Sequence, residues 1–70
     1  MTEHDFLMLG TPVYMTDGKR FRKLHYRDGA TDGHAWIRAP WKKVRSYAAT
    51  GLIARENLIR RMRRRGWWCV

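Results

Sequence analysis

The sequence predicts a small α+β fold, a three-stranded antiparallel β-meander packed by one C-terminal amphipathic helix. Three observations predict it. Asp17-Gly18 separates two stretches whose apolar residues sit at strand spacing, Pro40 ends a third such stretch, and Thr50 and Gly66 bracket a run with helical spacing.

Residues 1–10 precede the first strand signal and read as a flexible N-terminus. The first arm of the hairpin, 11–16, has Pro12 near its start, where a missing N–H is tolerated, followed by Val13, Tyr14 and Met15. A two-residue type I′ turn needs positive φ at both central positions, and Asp17-Gly18 supplies it. The second arm, 19–27, alternates imperfectly around Phe21, Leu24 and Tyr26, with basic residues on the exposed positions. The polar stretch from Asp28 to Gly33 holds further turn signals, with Gly29 and Gly33 read as turn makers. A third strand over 34–39 puts Trp36 and Ile37 on opposite faces, and Trp36 is assigned to the core. Pro40, which donates no ladder hydrogen bond, stops it.

Between 41 and 49 two readings stand. Trp41, Val44 and Tyr47 or Ala48 recur at helical spacing with Lys42, Lys43 and Arg45 between them, so a short helix with Pro in its first turn and a fourth strand both fit. Thr50 is then an N-cap for a helix over 52–65, and Gly66 takes the C′ position. Leu52, Leu58, Ile59 and Met62 fall on one side of that helix, and Arg60, Arg61, Arg64 and Arg65 on the other. Glu56 precedes Arg60 in the favourable i to i+4 order, and arginines at the C-terminal end complement the helix dipole. The short apolar tail over 66–70, with Trp67, Trp68, Cys69 and Val70, either folds back as a strand or packs over the sheet.

Seventy residues make one small domain spanning 1–70, with 44% hydrophobic residues. A domain of that size buries only about 60% of its unfolded surface, so large rings must fill much of its core. Cys69 is alone and forms no intrachain disulfide, which fits a reducing cytoplasm. The acidic start, Met1-Thr2-Glu3-His4-Asp5, lacks the basic and apolar regions of a signal peptide. No apolar stretch approaches the ~20 residues of a membrane span. The expectation is a cytoplasmic protein without a membrane partner, monomeric when free.

The net charge of +9 lies entirely in the second half. Residues 1–32 carry five basic and five acidic side chains, whereas 33–70 carry ten basic side chains against Glu56 alone. In Arg60-Arg61-Met62-Arg63-Arg64-Arg65 five guanidinium groups occupy six positions. Arginine offers a planar five-donor fork that fits phosphate or carboxylate bidentately, so the partner is nucleic acid or an acidic protein surface. The candidate binding residues are Arg60, Arg61, Arg63, Arg64 and Arg65, joined by Lys42, Lys43 and Arg45.

Catalysis has no constellation to rest on. Ser46 lies between Arg45 and Tyr47, Cys69 is next to the end, and no carboxylate pair is spaced to share a face. His4, His25 and His34 lack paired-ligand spacing, so no metal or cofactor is expected. Gly29 and Gly33 are not followed by the Gly-Lys-Ser/Thr of a phosphate loop. At the Thr50-Gly51-Leu52 junction a helix-turn-helix would want a buried aliphatic where Asn57 stands. Trp41, Trp67 and Trp68 read as core rather than as base-stacking platforms. An autonomous DNA- or RNA-binding module, winged-helix-like or irregular and built on the arginine helix, is the alternative to a protein-docking regulator.

With Thr16-Asp17-Gly18-Lys19 at its turn, an arginine helix and a Gly66-Trp67-Trp68-Cys69-Val70 end, the chain resembles the small phage-encoded regulators of host RNA polymerase. Such regulators bind the polymerase, block initiation and let elongation pass terminators. The resemblance implies a non-enzymatic transcription regulator, active in a bacterial cytoplasm, that grips polymerase beside the emerging RNA or the DNA path. It assigns no role to any single residue.

Overall fold

A computed structural model describes residues 12–70, and the readings made for 1–11 lie outside the described residues. Strands β1 (Val13–Thr16), β2 (Phe21–Asp28), β3 (Gly33–Arg38) and β4 (Lys43–Ala48) run up and down in sequence. Helix α1 (Gly51–Arg64) follows, and β5 (Trp68–Cys69) returns to pair with β1. The sheet is antiparallel throughout, in the order β4-β3-β2-β1-β5.

The α+β class stands, with one helix among the described residues that runs over Gly51–Arg64 rather than 52–65, but the sheet has five strands, not three. Residues 43–48 alternate with period two: Val44 and Ser46 are buried, while Lys43, Arg45 and Tyr47 are exposed. The helical spacing of Trp41, Val44 and Tyr47 combines two residues from opposite faces of β4 with one from the turn before it. The fifth strand is the apolar tail, whose Cys69 and Trp68 pair with Met15 and Thr16. Two residues make no strand unaided, so only an existing edge could order them.

The first hairpin also differs from the expected type I′ turn. Four residues separate Thr16 from its partner Phe21, and of them Gly18 alone has positive φ, at 95°. Side chains hold the loop instead: Thr16 Oγ1 accepts from the Gly18 N–H at 3.0 Å, and Asp17 Oδ1 accepts from the Lys19 and Arg20 N–H groups at 2.9 and 2.8 Å. These amides, Arg20 first and then Lys19, hold the Asp17 carboxyl below its ordinary value of 3.8.

Helix α1 is capped as the sequence implied. Thr50 Oγ1 accepts from the Ile53 N–H at 3.2 Å, and Asp28 Oδ1 accepts from the Gly51 N–H at 2.6 Å, tying the helix start to the end of β2. At the other end Gly66 (φ 88°) donates to the Arg63 carbonyl and Trp67 to the Met62 carbonyl, a Schellman closure that turns the chain toward β5. Gly33 is no turn maker. It opens β3, and a Cβ there would collide with the Thr50 carbonyl carbon and the Gly51 nitrogen, so glycine lets the helix start press against the strand.

The core lies between α1 and one sheet face. Met15, Leu24, Ala35, Ile37 and Val44 meet Ala54, Leu58, Ile59 and Met62, and Trp67 closes it at 3% exposure. Each large aliphatic there contributes about 1.5–3 kcal/mol of burial. Arg55 is buried among them, its guanidinium 4.9 Å from the centre of the Tyr26 ring and its Nη2 3.4 Å from Glu56 Oε1. Glu56 thus pairs with Arg55 rather than with Arg60 as expected.

Candidate nucleic-acid interface

Period-two geometry sends every second strand residue away from α1, onto a face that no described element covers. The register fixes its neighbours. His25 lies opposite Trp36, and Trp36 opposite Arg45; Arg27 lies opposite His34, and His34 opposite Tyr47; Arg38 faces Lys43, and Tyr14 faces Lys23. Phe21 and Trp68 flank Thr16 at the far side of the face. No Asp or Glu occupies these positions.

The rings form a continuous row. His25 stacks on Trp36 with centroids 5.3 Å apart and planes 12° from parallel, Trp36 leans on His34 at 4.8 Å and 31°, and His34 stacks on Tyr47 at 4.5 Å and 2°. Lys43 Nζ stands 5.7 Å from the Trp36 ring centre. Cations therefore surround a rigid aromatic ridge, whose outer member Tyr47 is 59% exposed. Within the ridge, burial first and then the charges of Arg45, Arg27 and Lys43 push the His34 imidazole below its ordinary 6.5, with only Asp32 opposing them. Both causes favour the neutral imidazole, and among the described residues its buried Nε2 has no hydrogen-bond partner.

The predicted binding residues divide between two faces. Lys43 and Arg45 stand on the ridge face, whereas Arg60, Arg61, Arg63 and Arg64 are exposed on the back of α1, with Arg65 at its C-cap. Arg61 Nη1 donates to the Arg45 carbonyl at 2.7 Å, and the Arg65 guanidinium lies 4.8 Å from the Trp41 ring centre. Lys42, Trp41, Val44, Arg61, Met62, Arg64 and Arg65 line a crevice of about 250 Å³ between the β3–β4 turn and the end of the helix.

Sequence reasoning missed most of the ridge: Lys23, His25, Arg27, His34, Trp36, Arg38 and Tyr47. The signal was present as basic and aromatic residues at every second position of β2, β3 and β4. Assigning Trp36 to the core hid it, because in β3 the inward residues are Ala35 and Ile37. Trp41 and Trp68, also assigned to the core, are 44% and 48% exposed, while Trp67 is buried as expected. Small inward residues leave room for α1 to lie close to the sheet, so the larger rings face outward.

Among the described residues no three His, Cys, Asp or Glu side chains gather as a metal site, and no helix is long and apolar enough to cross a membrane. No protein-family model matches the chain, and no curated protein or solved structure shows significant similarity to it.

Proposed function

We propose that the protein is a non-enzymatic nucleic-acid-binding protein that holds single-stranded RNA or DNA on the open face of its sheet. The observation that carries this reading is the row His25, Trp36, His34 and Tyr47, set among cations with no acid at the outward strand positions of the described residues. Unpaired bases stack on such rings at about 1–3 kcal/mol each without regard to sequence, while Lys23, Arg27, Arg38, Lys43 and Arg45 neutralise the phosphates between them. A duplex offers its bases only at the groove edges, so a flat ridge of rings has nothing to stack on there.

The setting we infer is transcription, beside RNA polymerase, in keeping with the regulators the chain resembles. Nascent RNA or the displaced DNA strand would occupy the sheet, and the arginines of α1 would meet an acidic protein surface from the other layer. Two measurements test the two parts. Anisotropy with labelled oligonucleotides of about ten nucleotides should show preference for the single strand over its duplex, and Trp36→Leu should remove most of it; equal affinity for both forms would overturn the sheet reading. A polymerase complex captured from bacterial lysate should survive nuclease and weaken in Arg60→Gln/Arg63→Gln; complete loss on nuclease treatment would overturn the polymerase setting alone.

A further inference from the structure

Four of the seven residues that line the crevice at the end of α1 are cationic. Lys42, Arg61, Arg64 and Arg65 surround its roughly 250 Å³, no acid among the described residues does, and Val44 and Met62 join it to the core. Four like charges drawn into so small a space repel one another, and α1 carries no acid beyond Glu56 to offset them. An anion in the crevice would convert that repulsion into attraction.

Two of the guanidinium groups are already held. Arg61 uses one donor on the Arg45 carbonyl at 2.7 Å, and Arg65 is stacked 4.8 Å from the Trp41 ring centre. Stacking occupies the flat face of a guanidinium and leaves the in-plane N–H donors for an oxyanion. Side chains fixed before binding lose less entropy when the ligand arrives. Four cations around one crevice suit a tetrahedral phosphate, which accepts from several donors at once, better than a carboxylate, which one arginine satisfies.

The place in the fold suggests where the phosphate comes from. Lys42 lines the crevice, while the next residue, Lys43, pairs with Arg38 on the open face, so cations continue around the β3–β4 turn from the sheet to the helix end. We propose that the crevice is a phosphate site that seats a backbone phosphate of the single strand as it leaves the ridge past Trp41, an inference that rests on the sheet reading above.

The test is a titration of 15N-labelled protein that follows the side-chain N–H signals of Trp41, Arg65 and Trp36. Inorganic phosphate and AMP should shift Trp41 and Arg65, adenosine should leave them in place, and a single-stranded oligonucleotide should move them together with Trp36. Arg64→Gln/Arg65→Gln, which keeps the Arg61 bond and the core, should abolish the phosphate response. It should also flatten the salt dependence of oligonucleotide binding by about 0.7 units of log–log slope for the phosphate lost. Phosphate that leaves Trp41 and Arg65 unmoved, or an unchanged slope in the variant, overturns the site. An Asp- and Glu-rich peptide that shifts these signals more strongly than phosphate overturns the choice of anion. If the oligonucleotide leaves Trp36 unmoved while phosphate still shifts Trp41 and Arg65, the sheet reading fails and the crevice is supported as a site for free phosphate esters.

Discussion

The open sheet face and the back of α1 are both strongly basic, and they are built in different ways. On the sheet each cation stands beside a ring whose direction the strand dictates, and cross-strand pairing sets the distance to the next ring. On the helix five guanidinium groups crowd the last turns on long flexible stems, and among the described residues only Arg61 and Arg65 are held by a neighbour. Charge on flexible stems attracts a polyanion from a distance and is screened by salt. In the proposed reading the fixed row of rings then recognises what arrives, because stacking depends on geometry that salt does not erase.

The most severe way to break the comparison is to separate the layers. Gly33→Ala forces a methyl group into the Thr50–Gly51 backbone, so we expect a loss of about 4 kcal/mol or outright unfolding, in the range that marks a specific structural clash. Thermal or urea denaturation reads it, and a loss below about 1 kcal/mol would mean that the helix start does not need this close approach.

The next effect isolates the rings. Trp36→Leu/Tyr47→Leu keeps every cation and should weaken single-strand binding about 30- to 100-fold, the loss of one to two stacked bases, while leaving the salt slope as it is. An affinity that survives this change would reduce the ridge to a solvated, decorative surface and pass the binding to charge alone.

The helix should respond in the opposite sense. In Arg60→Gln/Arg63→Gln the two arginines outside the crevice are neutralised, and oligonucleotide affinity should fall only about threefold, with less of it lost at high salt. A loss larger than that of the ring variant would reverse the ranking of the two faces.

The smallest effect is a pH dependence confined to the sheet. The folded state holds His34 below 6.5, so the unfolded chain binds its proton more readily and stability must fall as pH drops through and below 6.5. Arg27 on β2, Arg45 and Lys43 on β4, and Asp32 in the β2–β3 turn set this balance together with burial. Asp17, held below 3.8, stabilises the fold above that pH and loses its effect only in stronger acid, so the two windows do not overlap. A melting temperature measured from pH 7.5 to 5 should decline by a few degrees and should flatten in His34→Phe. Equal declines in both proteins would remove His34 as the cause.

Local chemistry in the sequence determined a good deal. Thr50 and Gly66 marked the ends of α1, because caps satisfy backbone groups within a few residues. Pro40 marked the end of β3, and the alternation of Ala35, Trp36 and Ile37 showed two faces. The charge asymmetry likewise needs no structure, since it follows from composition alone.

What the sequence could not settle was which face the helix would take and where the tail would go. Trp36 is the larger apolar residue, and by hydrophobicity alone it belongs inside; the close seating of α1 on Ala35 and Gly33 turned it out to join His25, His34 and Tyr47. Lys43 and Arg45 were counted with the arginine helix because they are near it in charge, and register placed them across the sheet from it. Trp68–Cys69 became a strand because β1 offered an unpaired edge. Each of these outcomes depends on residues far apart in the chain, so propensity and spacing decided the elements, while packing between layers decided which surface the molecule presents.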